Sequence, residues 1–273
     1  MKKILIIGGK GFIGSNLIEF FKKKMINTQS MSFESFLKKN TSFVNLFDFI
    51  INCSSNKKFI FNKYKKINDI DLIIAKKIAN NKTNLISLST RKVYKTMFNI
   101  KEGDKLLPNC NYSKNKLISE NLVQKILTNR SLVLRIANLI GLPTKSKRKL
   151  HKTFVDIFFN KINQGYIYEN NKNYKDFISI RVFNEIVLKL IRKNAYGIYN
   201  VSLGKKVYLN QLTEWLNFYN KKKIITIKRK KSSINENFTL NNLKLVNKIK
   251  IKYNLIDLKN DSLQISKKFF IKK

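Results

Sequence analysis

A doubly wound α/β fold, with a parallel sheet covered by helices on both faces, is the architecture this sequence predicts, and three observations carry it. The chain opens with an aliphatic run, "KILII" (3–7), which passes through spaced glycines into a segment whose apolar residues recur at helical spacing. Short apolar stretches then alternate with helical patterns through roughly the first half, the pattern of parallel strands joined by crossover helices. The 273 residues are 43% hydrophobic and 12% aromatic, enough to bury one large domain or one domain with a modest lobe.

The elements follow in order. The first strand ends at Ile7, and from Ser15 to Lys24 the residues Leu17, Ile18, Phe20 and Phe21 mark a helix whose closing lysines suit its C-terminus. "MINTQSM" (25–31) predicts a short second strand, and "SFESFLKK" (32–39) a helix capped by Ser32. "FDFIINCSS" (47–55) predicts a third, buried strand ending in small polar residues. Ile70, Ile73, Ile74 and Ile78 place a helix between Asn68 and Asn80, and "NLISLST" (84–90) is a strand ending in hydroxyls. A helix from about Tyr112 to Thr128 precedes "LVLRIANLIG" (132–141), read as one strand. Beyond Gly141 the alternation loosens into an exposed basic loop, "KSKRKLHK" (145–152), short elements such as "KDFISI" (175–180) and "GIYNVS" (197–202), and a helix around Trp215, whose apolar neighbours mark it as packing. The division is residues 1–141 and 142–273, with segments around 175–186 and 197–202 returning to the sheet. The stretch from Lys221 onward is rich in Lys and Asn but keeps enough Ile, Leu, Phe and Val to fold back on the body, and no internal repeat is present.

The charge is extreme, 56 Lys+Arg against 16 Asp+Glu for a formal +40. The excess is mostly Lys, spread along the whole chain, and accompanied by abundant Asn and Ile, which is the drift expected of an A+T-rich genome on a solvated surface. A specific nucleic-acid partner is therefore not expected, although polyanions will adhere at low salt. Cys53 and Cys110 offer neither metal-ligand spacing nor a disulfide framework, which predicts a reducing cytoplasm. The N-terminal apolar run stops after Ile7, too short for a signal peptide or a membrane span. His151 is the sole histidine, which argues against a His-dependent triad or a multi-His metal site.

The chemistry-bearing residues fall at strand ends and on one helix. In "GGKGFIG", Gly8 permits a tight turn after the strand, Gly11 lets the backbone approach a pyrophosphate, and Gly14 lets the helix pack close to the sheet. Tyr112 and Lys116 stand at i and i+4, so they share a helix face, and the ammonium is expected to lower the phenol toward a working range. Ser89 and Thr90 end a strand at the carboxyl edge where ligands of open α/β sheets bind.

Taken together, these motifs resemble the extended short-chain dehydrogenases, specifically the NAD-dependent epimerase/dehydratase family that acts on nucleotide sugars. "GGKGFIG" is similar to its glycine motif, "FDFIINCSS" to the strand beside the cofactor, and "YKKIN" places Asn68 on the family's helix Asn. "STRKVY" aligns Thr90 with the catalytic hydroxyl, "NYSKNK" supplies the catalytic Tyr and Lys, and "LRIANLIG" places Asn138 as a substrate contact. "KDFISI" resembles the Arg-Asp-Phe-Ile-His-Val stretch of the substrate lobe, and "GIYNVSLGKKVYLNQL" the late Gly-x-Tyr-Asn-Val segment. The resemblance implies a Rossmann-type NAD(P)-binding domain with a smaller C-terminal substrate lobe, binding a nucleotide-diphosphate sugar. It implies Thr90, Tyr112 and Lys116 as catalytic residues. Cofactor contacts would come from Gly8, Lys10, Gly11, Phe12, Ile13, Gly14, Asn52, Cys53, Ser54, Asn68, Ser89, Tyr112 and Lys116, and substrate contacts from Thr90, Asn138 and Lys175.

Departures from the family narrow the reading. The region "INTQSMSFES" has no Asp to hold an adenine ribose, and Ser30, Ser32 and Lys10 lean toward NADP(H). It is also short, so a strand of the usual sheet is expected to be missing or reduced. Arg91 and Lys92 follow Thr90 where the family's dehydratases carry Asp-Glu, which disfavours 4,6-dehydration and leaves epimerisation or 4-keto reduction. Lys175 stands for the usual Arg, losing bidentate geometry, and Ser179 for His or Tyr. The expected protein is a cytoplasmic nucleotide-sugar oxidoreductase or epimerase in surface-polysaccharide precursor synthesis, pairing as a homodimer. The alternatives are a reductase of a non-sugar carbonyl and a non-catalytic cofactor-sensing or RNA-associated protein on the same fold.

Overall fold

The computed structural model describes residues 2–142, 153–169, 172–228 and 237–271. The basic loop 145–152, with His151, lies outside the described residues. The chain begins with β1 (Ile4–Ile7), whose four aliphatic side chains are all fully buried, as both-face coverage of a central parallel strand requires. It continues through α1 (Phe12–Lys23), β2 (Thr28–Met31), two short helices α2 (Phe33–Leu37) and α3 (Thr41–Val44), and β3 (Phe49–Asn52). Then come α4 (Lys57–Phe61), α5 (Ile70–Lys77), β4 (Asn84–Thr90), α6 (Asn111–Leu127) and β5 (Ser131–Ile136). The remaining elements are β6 (Asn138–Ile140), α7 (Phe154–Asn163), β7 (Tyr166–Glu169), β8 (Tyr174–Lys175), β9 (Phe177–Ser179), α8 (Ile180–Arg192), β10 (Gly197–Val201), β11 (Val207–Tyr208), α9 (Leu209–Asn217), β12 (Ile225–Lys228), α10 (Leu243–Ile249) and α11 (Leu255–Phe270).

Six strands form one parallel sheet in the order β10-β5-β4-β3-β1-β2. The order reverses at β1, the switch point outside which open α/β sheets bind their ligands. Only one strand, β2, lies between α1 and β3, and it forms the edge of the sheet. One face packs α1, α8 and α10 through Leu17, Phe21, Phe183, Val187 and Leu245, and the other packs α5 and α6 through Ile74, Ile78, Val123 and Leu127. Each such buried side chain contributes about 1.5–3 kcal/mol of transfer free energy.

The segment read as a single strand, 132–141, is two strands in different sheets. Ala137 donates its backbone N–H to Val201 O (3.0 Å), after which Asn138 turns away and pairs through β6 with β9. Hydrophobic runs do not report which partner a backbone takes, so this break was invisible in the sequence. A third apolar cluster unites Phe158, Phe159, Phe177, Trp215, Leu216 and Leu258, so Trp215 is packing, as expected. The late segment "GIYNV" is β10, the edge strand beside β5, which ties the distal half of the chain into the main sheet.

Asp176, fully buried between β8 and β9, joins these parts. Its carboxylate accepts backbone N–H groups from Gly204 (3.2 Å) and Leu240 (2.9 Å). Burial, only partly offset by those donors, pushes its carboxyl up to about 7. Between the unfolded value near 3.8 and about 7, the native chain holds a proton that the unfolded chain has released. Its contribution to stability is therefore fully present below pH 4 and is lost as pH rises toward 7. In Asp176→Asn, which keeps an acceptor for both amides, the drop in unfolding free energy from pH 5 to pH 7 should be smaller than in the native chain by about 1–3 kcal/mol. Urea midpoints at the two pH values read this directly.

Candidate active site

The carboxyl ends of β1, β3, β4 and β5 converge on one edge. β1 runs into Gly8, whose φ of +86° is a left-handed turn that a side chain would strain. A Cβ on Gly8 would also lie 2.7 Å from Ser54 N, so the loop and the end of β3 approach backbone to backbone. A Cβ on Gly14 would come within 2.5 Å of Gly8 O, so this glycine closes α1 onto β1. Gly11 differs: a Cβ there would meet nothing nearer than 3.4 Å, and its surroundings are open at the amino end of α1. That is a cradle shaped for a phosphate, with the positive end of the helix facing it. Phe12 and Ile13 begin α1, half-buried, and Lys10 is exposed at the loop's crest. The described residues thus fit a dinucleotide pyrophosphate.

Period-two alternation sorts the strand-end residues into two sets. Asn52, expected among the cofactor contacts, turns inward: its Nδ2 donates to Asp71 Oδ1 (2.8 Å), and its Oδ1 accepts from Ser54 N (3.0 Å). Ser89 likewise turns inward and bonds Glu120. Neither side chain faces the edge, because each lies on the strand face that α5 and α6 cover. Their neighbours Cys53, Ser54 and Thr90 are half-buried at the edge itself. Thr90 also accepts from Lys92 N (3.2 Å), capping the 3-10 turn Arg91–Val93. Asn68 sits at the end of another 3-10 turn, its Oδ1 at 3.5 Å from Asn56 Nδ2. On β6, Asn138 donates Nδ2 to Asp176 O (3.1 Å), which places it beside half-buried Lys175 on β8.

Helix α6 begins beside this edge because Cys110 and Ser113 form its capping box and Asn115 Nδ2 clamps Phe59 O (2.7 Å) and Asn62 O (2.8 Å) in the α4 region. It carries Tyr112, Lys116 and Glu120 down one face at i, i+4 and i+8. Lys116 Nζ meets Asp71 Oδ2 at 3.1 Å, with side chains only 10% and 5% exposed. Glu120 Oε2 is gripped by Arg135 through Nη2 (2.7 Å) and Nε (3.1 Å) in an ion pair 2% exposed on each side. A cavity of about 10 Å³, the size of one water, lies between the two pairs among Asp71, Ser87, Ser89, Lys116, Ser119 and Glu120.

The electrostatics depart from the expectation in one respect. Burial raises the Tyr112 phenol, and the Lys116 ammonium draws it back only in part, so the phenol rests above its usual value rather than below it. Lys116 is opposed by burial but held above the usual range by Asp71, Tyr112 and the hydrogen bond to Asp71. Asp71 and Glu120 were not anticipated. Glu120 is legible as one further i+4 step along the Tyr112–Lys116 face, and Asp71 as an acid interrupting the apolar run Ile70–Ala75.

A glycine-turn strand, a parallel sheet reversing beside it, and a Tyr–Lys helix at the sheet's carboxyl edge define a Rossmann-type dinucleotide-binding scaffold. The profile of the NAD dependent epimerase/dehydratase family matches residues 4–202, and the chain belongs to that family. No curated protein matches it in sequence. Among solved structures it is similar to UDP-N-acetylglucosamine 4-epimerase from Methanobrevibacter ruminantium in complex with UDP-N-acetylmuramic acid, at 18% identity and a TM-score of 0.80, covering 100% of this chain and 99% of that one. It is also similar to dTDP-glucose 4,6-dehydratase from Bacillus anthracis in complex with NAD (17%, TM-score 0.72, 98% and 97%). A third likeness is to RMD from Pseudomonas aeruginosa complexed with NADPH (15%, TM-score 0.76, 100% of both chains). These likenesses establish the shared fold. Among the described residues, no helix is long and apolar enough to cross a membrane.

The two glycines should respond oppositely to a methyl group. Gly14→Ala, which forces Cβ against backbone, should lower stability by about 1–3 kcal/mol. Gly11→Ala should unfold within about 0.5 kcal/mol of the native chain, because its φ of −77° suits alanine and its Cβ meets ordinary contact distances. Chemical denaturation of both variants checks this.

Proposed function

We propose that the chain is a nucleotide-sugar oxidoreductase or epimerase that uses NAD(P)(H) for hydride transfer at a sugar carbon, C4, in the synthesis of surface-polysaccharide precursors. The observation that carries the reading is the joint placement of Tyr112 and Lys116 on the buried face of α6, at the sheet edge that also presents Thr90 and the Gly8–Gly14 cradle. Family membership and the cradle's fit supply the cofactor class. Bound there, a nicotinamide dinucleotide supplies or accepts the hydride.

The chain's own residues do the rest. Gly8, Gly11 and Gly14, with Lys10, Phe12, Ile13, Cys53 and Ser54, hold the dinucleotide, and Asn68 supports the wall opposite. The Thr90 hydroxyl holds the substrate oxygen at the reacting carbon. Tyr112 gives that oxygen a proton when a ketone is reduced, or takes one when an alcohol is oxidised, and the Lys116 ammonium stabilises the phenolate and orients the nicotinamide ribose. Asn138 and Lys175 face the substrate, Lys175 toward the diphosphate.

Two finer points follow from charge. The residues after Thr90 are Arg91, whose guanidinium lies 3.9 Å from the centre of the Phe238 ring, and exposed Lys92. Dehydration needs an acid there for the leaving hydroxyl, so reduction or epimerisation is the reaction this site supports. At the adenine end, Glu34 belongs to α2, Ser32 caps that helix through Ser35 N (3.1 Å), and exposed Ser30 lies beside Gly9. With no carboxylate to repel a 2′-phosphate and Lys10 close to the loop, NADP(H) is the favoured cofactor. Two free cysteines support a reducing, cytoplasmic setting. A homodimer is the assembly the family resemblance implies.

The deciding experiment is a thermal-shift panel of NAD(H) and NADP(H), each with and without UDP-, dTDP-, GDP- and CDP-hexoses, at moderate salt to suppress non-specific phosphate binding. Stabilisation by NADP(H) above NAD(H), enhanced by one nucleotide sugar, is the expected result. A flat response to every cofactor, with stabilisation by RNA alone, would sink the reading. Tyr112→Phe should lower turnover by at least about 100-fold while keeping the cofactor-induced shift. Activity surviving that change would remove Tyr112 from the mechanism.

A further inference from the structure

We infer that Asp71 is a positioning residue for the catalytic pair: its buried carboxylate fixes the Lys116 ammonium one helical turn from Tyr112, setting the site to deliver a proton, as reduction of a keto-sugar requires. The inference deepens the reading above and rests on it for the reaction, though not for the Asp71–Lys116 pair itself.

The geometry leaves Asp71 one role. Asp69 anchors the start of α5, accepting from Leu72 N (3.1 Å), Tyr64 OH (2.8 Å) and Ser119 Oγ on α6 (2.9 Å). That anchor aims Asp71 at Lys116. Asn52 has its own oxygen committed to Ser54 N, so it can present only its NH2 group to Asp71 Oδ1. The other oxygen, Oδ2, faces the three-donor ammonium of Lys116. With a donor at each oxygen, the carboxylate anion is the form that satisfies every partner. The hydroxyls of Ser87, Ser89 and Ser119 around the adjoining cavity keep these surroundings polar, and Ser87 Oγ makes no hydrogen bond to the chain. An acid here is otherwise costly, since its neighbours Ile70, Leu72, Ile74 and Ala75 are all buried.

Charged and titratable groups reach the pair from several elements packed around it, and α4 adds the Phe59 ring, 5.5 Å from Lys116 Nζ. Helix α5 supplies Asp71, with Asp69 at its N-cap, α6 supplies Glu120, with Cys110 at its N-cap, and Cys53 follows β3. Arg135 of β5 pairs with Glu120, and Lys92 acts on Cys110 at the amino end of α6. Glu120 is therefore balanced by its own partner, while Asp71 has Lys116 as its cation. Negative charge at Asp71 opposes loss of a proton from Lys116 and, one helical turn away, from Tyr112. Lys116 lies above its usual value because Asp71 outweighs the opposing burial, and Tyr112 lies above its own chiefly through burial, with Asp71 adding in the same direction. When the Tyr112 O–H bond breaks and the proton passes to the substrate oxygen, the phenolate left behind faces an ammonium that Asp71 has held in place.

Tyr112 and Lys116 each act on the other's charge, so removing the anion lowers the first deprotonation whichever of the two carries it. The test uses Asp71→Asn, which keeps the shape and the Asn52 hydrogen bond. In substrate-free protein, the Lys116 13Cε resonance, assigned by its loss in Lys116→Arg, should titrate above the ordinary lysine value of about 10.4 in the native chain. It should fall by about one unit or more in Asp71→Asn. The alkaline limb of kcat for reduction should move down with it, and Asp71→Glu should restore the limb. A native Lys116 titrating at or below about 10.4 overturns the inference even if Asp71→Asn fails to fold. So does an alkaline limb unmoved in Asp71→Asn. The expected titration together with no turnover of any keto-sugar supports the Asp71–Lys116 pair but overturns the proposed direction and the functional reading behind it.

Discussion

The structure depends on one constraint: helix α6 carries two charges into the interior, and each has to be met there. Lys116 is met by Asp71 from α5, and Glu120 by Arg135 from β5. A buried charge deprived of its partner costs about 3–5 kcal/mol, so α5, α6 and β5 cannot shift independently without breaking one of the pairs. That rigidity places Tyr112, at the first turn of the same helix, beside the carboxyl edge of the sheet.

The pairs also belong to a longer polar network. Arg135 stacks over Tyr94 at 4.7 Å and donates to Glu102 O (3.1 Å). Tyr94 OH donates to Asn200 Oδ1 (2.8 Å) on β10, and Asn200 Nδ2 reaches Ile100 O (2.9 Å) and Asn241 O (3.1 Å). The loop after Thr90, the far edge of the sheet and the segment before α10 are thus bound to the centre that holds Lys116. Buried polar groups satisfied in this way specify a single arrangement where apolar packing alone tolerates several. The glycine cradle is fixed by close backbone packing, because Gly8 and Gly14 leave no room for a side chain.

Much of this was legible in the residues. The strand-glycine-helix opening, the Tyr112–Lys116 spacing and the short stretch between α1 and β3 were each local in sequence, and local spacing survives folding. What the sequence did not reveal was non-local. The run 132–141 is one apolar stretch but two strands, because β10 captures Ala137 while β9 captures Asn138. Asn52 and Ser89 sit at the right strand ends yet face inward, since alternation along a strand fixes relative facing but not which face a helix covers.

The sequence by itself determined the fold class, the cradle and the identity of the catalytic candidates, because hydrophobic period, glycine placement and i, i+4 spacing are properties of adjacent residues. Only the tertiary structure decided the electrostatics of the site. The lysine's influence on the tyrosine depends on how deeply both are buried and on which charge arrives from another helix. Asp71, remote from α6 in the chain, arrives there only when α5 packs against α6 across the ends of β3 and β4.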